Sequence, residues 1–230
     1  MMDEPFNPLG RFDPDADIIS GVLDKCEALY NALPDVDDGG LTRVYFHWTV
    51  APMGMCFADY NVEALIANNT WALQITHDPQ DNVVGLNDRP MAAHTYKRNA
   101  GAVGIAITGM DGAGVGPHDF GADPVTVMGL THLCAAGAAV AGKYGISIAG
   151  LSSGTPYGGE PSILTHAEAA MRVGNPPQYA DYRSERWDLA SLAPLPAGVS
   201  LTPQMAETCG NALRTLARAY KVALMFRIVV

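Results

Sequence analysis

A chain of 230 residues with 48% hydrophobic and 17% charged side chains is long and apolar enough to bury a core, which excludes a disordered protein. A formal charge of −10, with only 14 basic residues dispersed along the chain, excludes the clustered cationic footprint that nucleic acid or an anionic membrane requires. No apolar run approaches the roughly 20 residues that span a bilayer, and Cys26, Cys56, Cys134 and Cys209 form no CxxC pair, so neither a disulfide framework nor a thiolate zinc site is expected.

The opening Met-Met-Asp-Glu-Pro-Phe-Asn-Pro lacks the basic patch and apolar stretch of a secretory signal, so synthesis in the cytoplasm is the expectation. Ile18, Ile19, Val22, Leu23, Cys26, Leu29, Tyr30 and Leu33 recur at helical spacing, with Asp15 or Asp17 available as cap and Pro34 as terminator. Thr42 to Val50 is rich in β-branched and aromatic residues and reads as a strand. Tyr60 to Ile66 and Trp71 to Thr76 read as a hairpin around Asn68-Asn69, because asparagine tolerates the positive φ of a tight turn.

Ala102 to Thr108, apolar throughout, reads as a central strand buried on both faces. Asp123-Pro124 offers a cap and first-turn proline for an apolar helix running to about Tyr144, ended by Gly145. Ile146 to Gly150 and Ile163 to Thr165 are short strand candidates, His166 to Met171 starts a short helix, and 172–186 is irregular. A helix from Pro203 carries Met205, Cys209, Leu213, Leu216 and Tyr220 on one side, and the apolar end Val222 to Val230 is either a buried strand or a contact surface. No internal repeat or second domain is visible, so the pattern predicts one α/β domain.

Six histidines carry most of the chemical information. His132 lies inside an apolar helix and reads as a core or surface residue, while His118 and His77 sit in a Gly-rich loop and at a strand end. His47 and His166 each follow an apolar strand, and strand ends are where α/β sheets build their sites. Two imidazoles and one carboxylate make a common catalytic zinc set, since three protein ligands leave a fourth position for water. Spacing alone does not choose the carboxylate, and Asp188 is too far beyond His166 for a helical HExxH motif.

Several segments resemble, in order, the type 2 N-acetylmuramoyl-L-alanine amidases, the zinc amidases that include phage endolysins and peptidoglycan recognition proteins. They are Val44-Tyr45-Phe46-His47-Trp48-Thr49, Asp59-Tyr60-Asn61-Val62, Ala92-Ala93-His94-Thr95 followed by Asn99 and Val103 to Gly109, Ile163 to His166, and Arg186-Trp187-Asp188. The resemblance covers roughly residues 42 to 190 and implies a mixed central β-sheet flanked by helices. Together with the elements read on either side, this divides the chain into a leader and helix over 1–41, a catalytic segment over 42–192, and a C-terminal helix and tail over 193–230 packed on the same globule.

The resemblance implies Zn2+ held by His47, His166 and Asp188, with peptidoglycan as substrate and the lactyl–alanine amide as the bond cut. Tyr60 would orient water or donate to the oxyanion, and His94 would be a polar contact or proton relay rather than a ligand. Trp48 and Asn99 are the implied substrate contacts, Asn99 having a loop-holding role as its alternative. Arg186 stands where many relatives carry a catalytic lysine; it keeps the charge but cannot act as an acid. Asp181 and Glu185 are alternative carboxylates in the same long connection, and Trp187 is expected to pack under the site.

Without an export signal, such an enzyme would reach the wall through a holin-type pore, host lysis or a phage particle, whose components would be its partners. A non-catalytic peptidoglycan-binding module and a virion-associated wall-opening component are the alternative readings.

Overall fold

The computed structural model describes residues 16–36, 40–83, 90–95, 98–113, 117–149, 159–171 and 187–228. Helix α1 (Ala16–Ala32) precedes strands β1 (Arg43–Trp48), β2 (Val62–Ala67) and β3 (Thr70–Ile75), a 3-10 turn at Pro79–Asn82, and β4 (Ala102–Ile107). Helix α2 (Val127–Lys143), strand β5 (Ile163–Thr165), the short helix α3 (His166–Met171) and the long helix α4 (Pro203–Ile228) follow. The five strands form one sheet in the order β3-β2-β4-β1-β5, parallel except for β3, which pairs antiparallel with β2. The chain is therefore α/β, as its pattern predicts, with the mixed central sheet and flanking helices that the resemblance implied.

The two-residue link between β2 and β3 is Asn68-Asn69, at φ of 50° and 60°, the primed turn that matches strand twist. β4 is central and wholly buried, so it needs no polar alternation. Side chains of β1 alternate: Val44, Phe46 and Trp48 join the main core, while Tyr45 and His47 face the other side. The first set meets a helical layer in which α1 lies against β3, α2 crosses β2, β4 and β1, and α4 lies against β5. α2 is covered by sheet and by both other helices, which explains its apolar composition all round. Its small residues bring it close: a Cβ on Gly137 would stand 2.5 Å from the Phe46 ring.

Two local expectations are corrected. Thr126, not Asp123, caps α2, its hydroxyl accepting from the Gly129 N–H at 3.1 Å. Asp123 is committed to the preceding loop, where its carboxylate accepts from Met53 N–H and its carbonyl from Met110 N–H. Ile146 to Ala149 forms no strand; Ile146 and Ile148 are buried, and the Ile146 carbonyl accepts from Lys221 instead of from a neighbouring strand. Gly150 lies outside the described residues.

The apolar tail is not the buried strand that was one of its two readings. Residues 222–228 continue α4, with Leu224 in the core and Val222 and Phe226 exposed, while 229–230 lie outside the described residues. At the other end, α1 already includes Asp17, and the other expected cap, Asp15, lies outside the described residues. No helix among the described residues is long and apolar enough to cross a membrane.

Two glycines make opposite predictions. Gly21 lies within α1 with nothing near its missing side chain, so Gly21→Ala should raise stability by about 0.5–1 kcal/mol through helix propensity. Gly137→Ala gains the same propensity but must displace Phe46, and should lower stability by about 1–3 kcal/mol. Urea denaturation of both variants checks this; a stabilised Gly137→Ala would show that α2 does not rest on Phe46.

Candidate metal centre

Parallel pairing of β1 with β5 places Phe46 opposite Thr165, so the next residues, His47 and His166, leave adjacent strand ends side by side. Their ring centroids are 4.6 Å apart. His47 is held on the sheet face opposite Phe46 and Trp48 and is almost fully buried.

His166 is the first residue of α3, and Thr165 caps that helix. The Thr165 hydroxyl accepts from Glu168 N–H at 3.1 Å, and Glu168 Oε2 accepts from Thr165 N–H at 2.9 Å, the reciprocal arrangement of a capping box. Strand therefore becomes helix at one defined residue, and the His166 imidazole is aimed by that change of direction. The T-x-x-E spacing after an apolar strand is a sequence signal for this box, beyond the strand, histidine and short helix already read from the segment.

Asp188 arrives between two anchors. Trp187 packs its indole against Trp48 and Phe120, with ring centroids 4.6 and 5.5 Å away, and Leu189 is fully buried. Leu189 has φ of 61° and Trp187 O accepts from Ala190 N–H at 2.8 Å, so Asp188-Leu189 forms a tight turn with a leucine in the left-handed region. Such strain persists only where surrounding structure over-determines it, and here it directs Asp188 away from its buried neighbours. Trp187 thus packs under the site, as expected.

The three side chains converge. Asp188 Oδ2 lies 3.2 Å from His47 Nδ1 and 3.0 Å from His166 Nδ1, and one ligand atom from each residue falls within 4.8 Å of the others. Burial alone would raise the Asp188 pKa, but the charge of His166 and hydrogen bonds from both imidazoles hold it well below the usual carboxylate range. His166 is the most exposed of the three, with 13% of its side chain accessible, so the site opens on that side. This buried trio could hold a metal ion.

Around it lies a second ring of polar groups. Thr95 Oγ1 stands 3.2 Å from His47 Nε2 and 3.0 Å from His94 Nδ1, joining the two imidazoles. His94 packs directly on the Cα of Gly104, where any Cβ would collide with its ring. Burial lowers the His94 pKa well below normal, helped by the charges of His47 and His166, so it is a neutral imidazole. Among the described residues His94 belongs to no metal-ligating group, and its Nε2 is buried without a hydrogen-bond partner.

The Tyr60 ring lies 5.3 Å from that of His47, and its hydroxyl donates to Trp48 O at 3.3 Å. Burial, reinforced by the charges of Asp188, Glu63 and Asp59, raises its pKa, so the phenol stays a proton donor.

Two of the expected substrate contacts have other work. The Trp48 ring is buried in the aromatic cluster with Trp187 and Phe120, on the sheet face away from His47, so it offers no face to a ligand. Asn99 takes the loop-holding alternative: its Oδ1 accepts from Thr95 N–H at 2.7 Å and thereby fixes Thr95. Arg186, Asp181 and Glu185 lie outside the described residues.

The remaining histidines are committed elsewhere. His132 is buried, bonds Met128 O and stacks on Trp71; His77 bonds Pro90 O; and His118 bonds Leu195 O.

Asn82, fully buried in the 3-10 turn, was not foreseen. It bonds Asn61, Ala92 and the Asn99 carbonyl, and so ties the segment bearing His94 and Thr95 to the sheet. Glu63 was also missed; it shares the sheet face of His47, with Ala106 between them in register. No local sequence signal marks either: Asn82 bonds residues well separated in the chain, and Glu63 takes a backbone N–H of the preceding loop, which any residue could supply.

No protein-family model, curated protein or solved structure matches this chain.

Burial pushes the Glu63 carboxyl up to about 7, against hydrogen bonds from Phe57 N–H and the Cys56 thiol that favour its charge. The folded state therefore binds protons more tightly than the unfolded chain, and stability from this group is present at low pH and lost as pH rises from about 4.5 towards 7. Glu63→Gln keeps an acceptor for Phe57 and should flatten that fall, gaining on the native protein between pH 5 and 8 in urea midpoints. Parallel profiles for the two proteins would refute a buried, proton-linked Glu63.

Proposed function

We propose that this chain is a zinc-dependent N-acetylmuramoyl-L-alanine amidase that hydrolyses the amide between the muramyl lactyl group and L-alanine of peptidoglycan. The observation that carries the reading is the convergence of His47 Nδ1, His166 Nδ1 and Asp188 Oδ2 at the ends of adjacent parallel strands. The two separations to Asp188, 3.0 and 3.2 Å, are close to the roughly 3.3 Å between ligands of tetrahedral zinc at 2.0–2.1 Å, and all three atoms lie within 4.8 Å of one another. Two imidazoles with one carboxylate favour zinc over calcium or magnesium, which prefer all-oxygen shells. The choice of peptidoglycan rests on the amidase-like segments around these residues.

Zinc bound there supplies Lewis-acid polarisation of the scissile carbonyl and a nucleophile at neutral pH. If His47 held the metal through Nδ1, its Nε2–H would donate to Thr95 Oγ1, and the Thr95 hydroxyl would donate to Nδ1 of neutral His94. That chain would fix the tautomer and tilt of His47. Tyr60, kept protonated beside His47, would donate to developing negative charge on a substrate carbonyl, its hydroxyl leaving Trp48 O to do so. Arg186 would add positive charge without exchanging a proton.

The test is release of dye from labelled peptidoglycan by the full chain. Chelation of metal, or His47→Ala, should reduce release to background, and zinc should restore the chelated protein. Cleavage that survives both would overturn the zinc mechanism, whereas peptidoglycan pull-down without cleavage or stoichiometric zinc would favour a binding module. Detection of the chain in purified phage particles would assign it to wall opening during entry.

A further inference from the structure

The C-terminal helix touches the proposed centre from behind. Arg214 of α4 reaches β5 from the helical layer: Nη1 donates to Ile163 O at 2.9 Å and to Glu168 Oε2 at 2.8 Å, and Nη2 donates to Glu168 Oε1 at 2.8 Å. Nη2 also donates to Asn211 Oδ1 at 2.8 Å, which orients the guanidinium from its own helix. Glu168 and Arg214 are only 2% and 7% exposed, so this is a buried, two-pronged ion pair. Gly210, one turn earlier, is where α4 passes Glu168; any side chain there would collide with its carboxylate.

Apart from Asn211, every partner of the guanidinium lies on the short piece of chain that carries His166. Ile163 opens β5, Thr165 ends it, and Glu168 closes the capping box from the first turn of α3. One guanidinium therefore clamps the chain on both sides of His166. Stability is a weak explanation for such a pair, because desolvating two charges consumes most of what their attraction returns. Geometry is the stronger one: the fork sets the distance and angle between a strand carbonyl and a helical side chain, which a lysine could not do.

We propose that Arg214, acting through Glu168 and the Thr165 cap, is a positioning residue for the second metal ligand, so that α4 is part of the metal centre. The inference rests on the reading of His47, His166 and Asp188 as zinc ligands and identifies what aims one of them. It brings into the site a helix that lies outside the 42–192 segment to which the chemistry was assigned.

The experiment measures zinc affinity of the full chain by competition with a chromophoric chelator, alongside the visible spectrum of the cobalt-loaded protein and circular dichroism to confirm folding. Arg214→Met should weaken zinc binding by about 10–100-fold, the range for lost outer-shell partners, and alter the cobalt spectrum. Arg214→Lys, which keeps the charge and folds more readily, should still lose several-fold. Lys221→Met provides the control: Lys221 is on the same helix but donates to Ala141 O and Ile146 O at the far end of α2. It should lower thermal stability and leave zinc affinity and the cobalt spectrum unchanged.

Native-like zinc binding by folded Arg214→Lys and Arg214→Met, or an equal loss in Lys221→Met, would overturn the positioning role and leave the metal centre standing. Failure of the unaltered protein to bind zinc would instead overturn the metal reading itself.

Discussion

The parallel register between β1 and β5 is the constraint on which the candidate site depends. A parallel pair keeps equivalent residues level, and Phe46 opposite Thr165 makes His47 and His166 neighbours. Slipping β5 by one residue would turn His166 to the other face of the sheet. The register is fixed from the helical side, where Val44, Phe46 and Ile163 are packed against α2 and α4. The apolar layer and the polar site are thus two faces of one strand pair.

Polar groups have been buried to make that site, and most of them are paired with one another. Asp188 shares one oxygen between two imidazoles; Thr95 links His47 to His94; Asn82 and Asn61 hold the covering segment; and Glu168 is matched by Arg214. Buried polar atoms without such partners cost about 1–3 kcal/mol each. The same bonds that offset desolvation also restrict motion, so the trio is preorganised rather than gathered when a ligand arrives. His166, at the open edge, joins this buried arrangement to solvent.

Much of the architecture was legible because it follows from local chemistry. Apolar runs between glycines marked β4, Asn68-Asn69 marked the hairpin, and three-to-four spacing marked α1 and α4. The readings that failed are those decided by a distant partner. Asp123 looked like a helix cap but serves Met53 and Met110, and Ile146 to Ala149 looked like a strand but has no strand beside it. Trp48, next to a ligand in sequence, points into the core because alternate residues of a strand face opposite ways.

The sequence by itself determined that this is an α/β chain with two histidines at strand ends and an acidic, weakly basic surface composition, since periodicity, turn residues and charge are local properties. Spacing left the third member open and only the resemblance singled out Asp188; tertiary structure brought it to the two imidazoles, because its position depends on Trp187 and Leu189 finding buried niches far away in the chain. Tertiary structure alone decided that Asn99 holds a loop, that Thr95 joins two imidazoles and that Arg214 stands behind His166. Contacts between residues tens of positions apart leave no local periodicity, so their chemistry becomes visible only when the sheet and the helical layer bring them together.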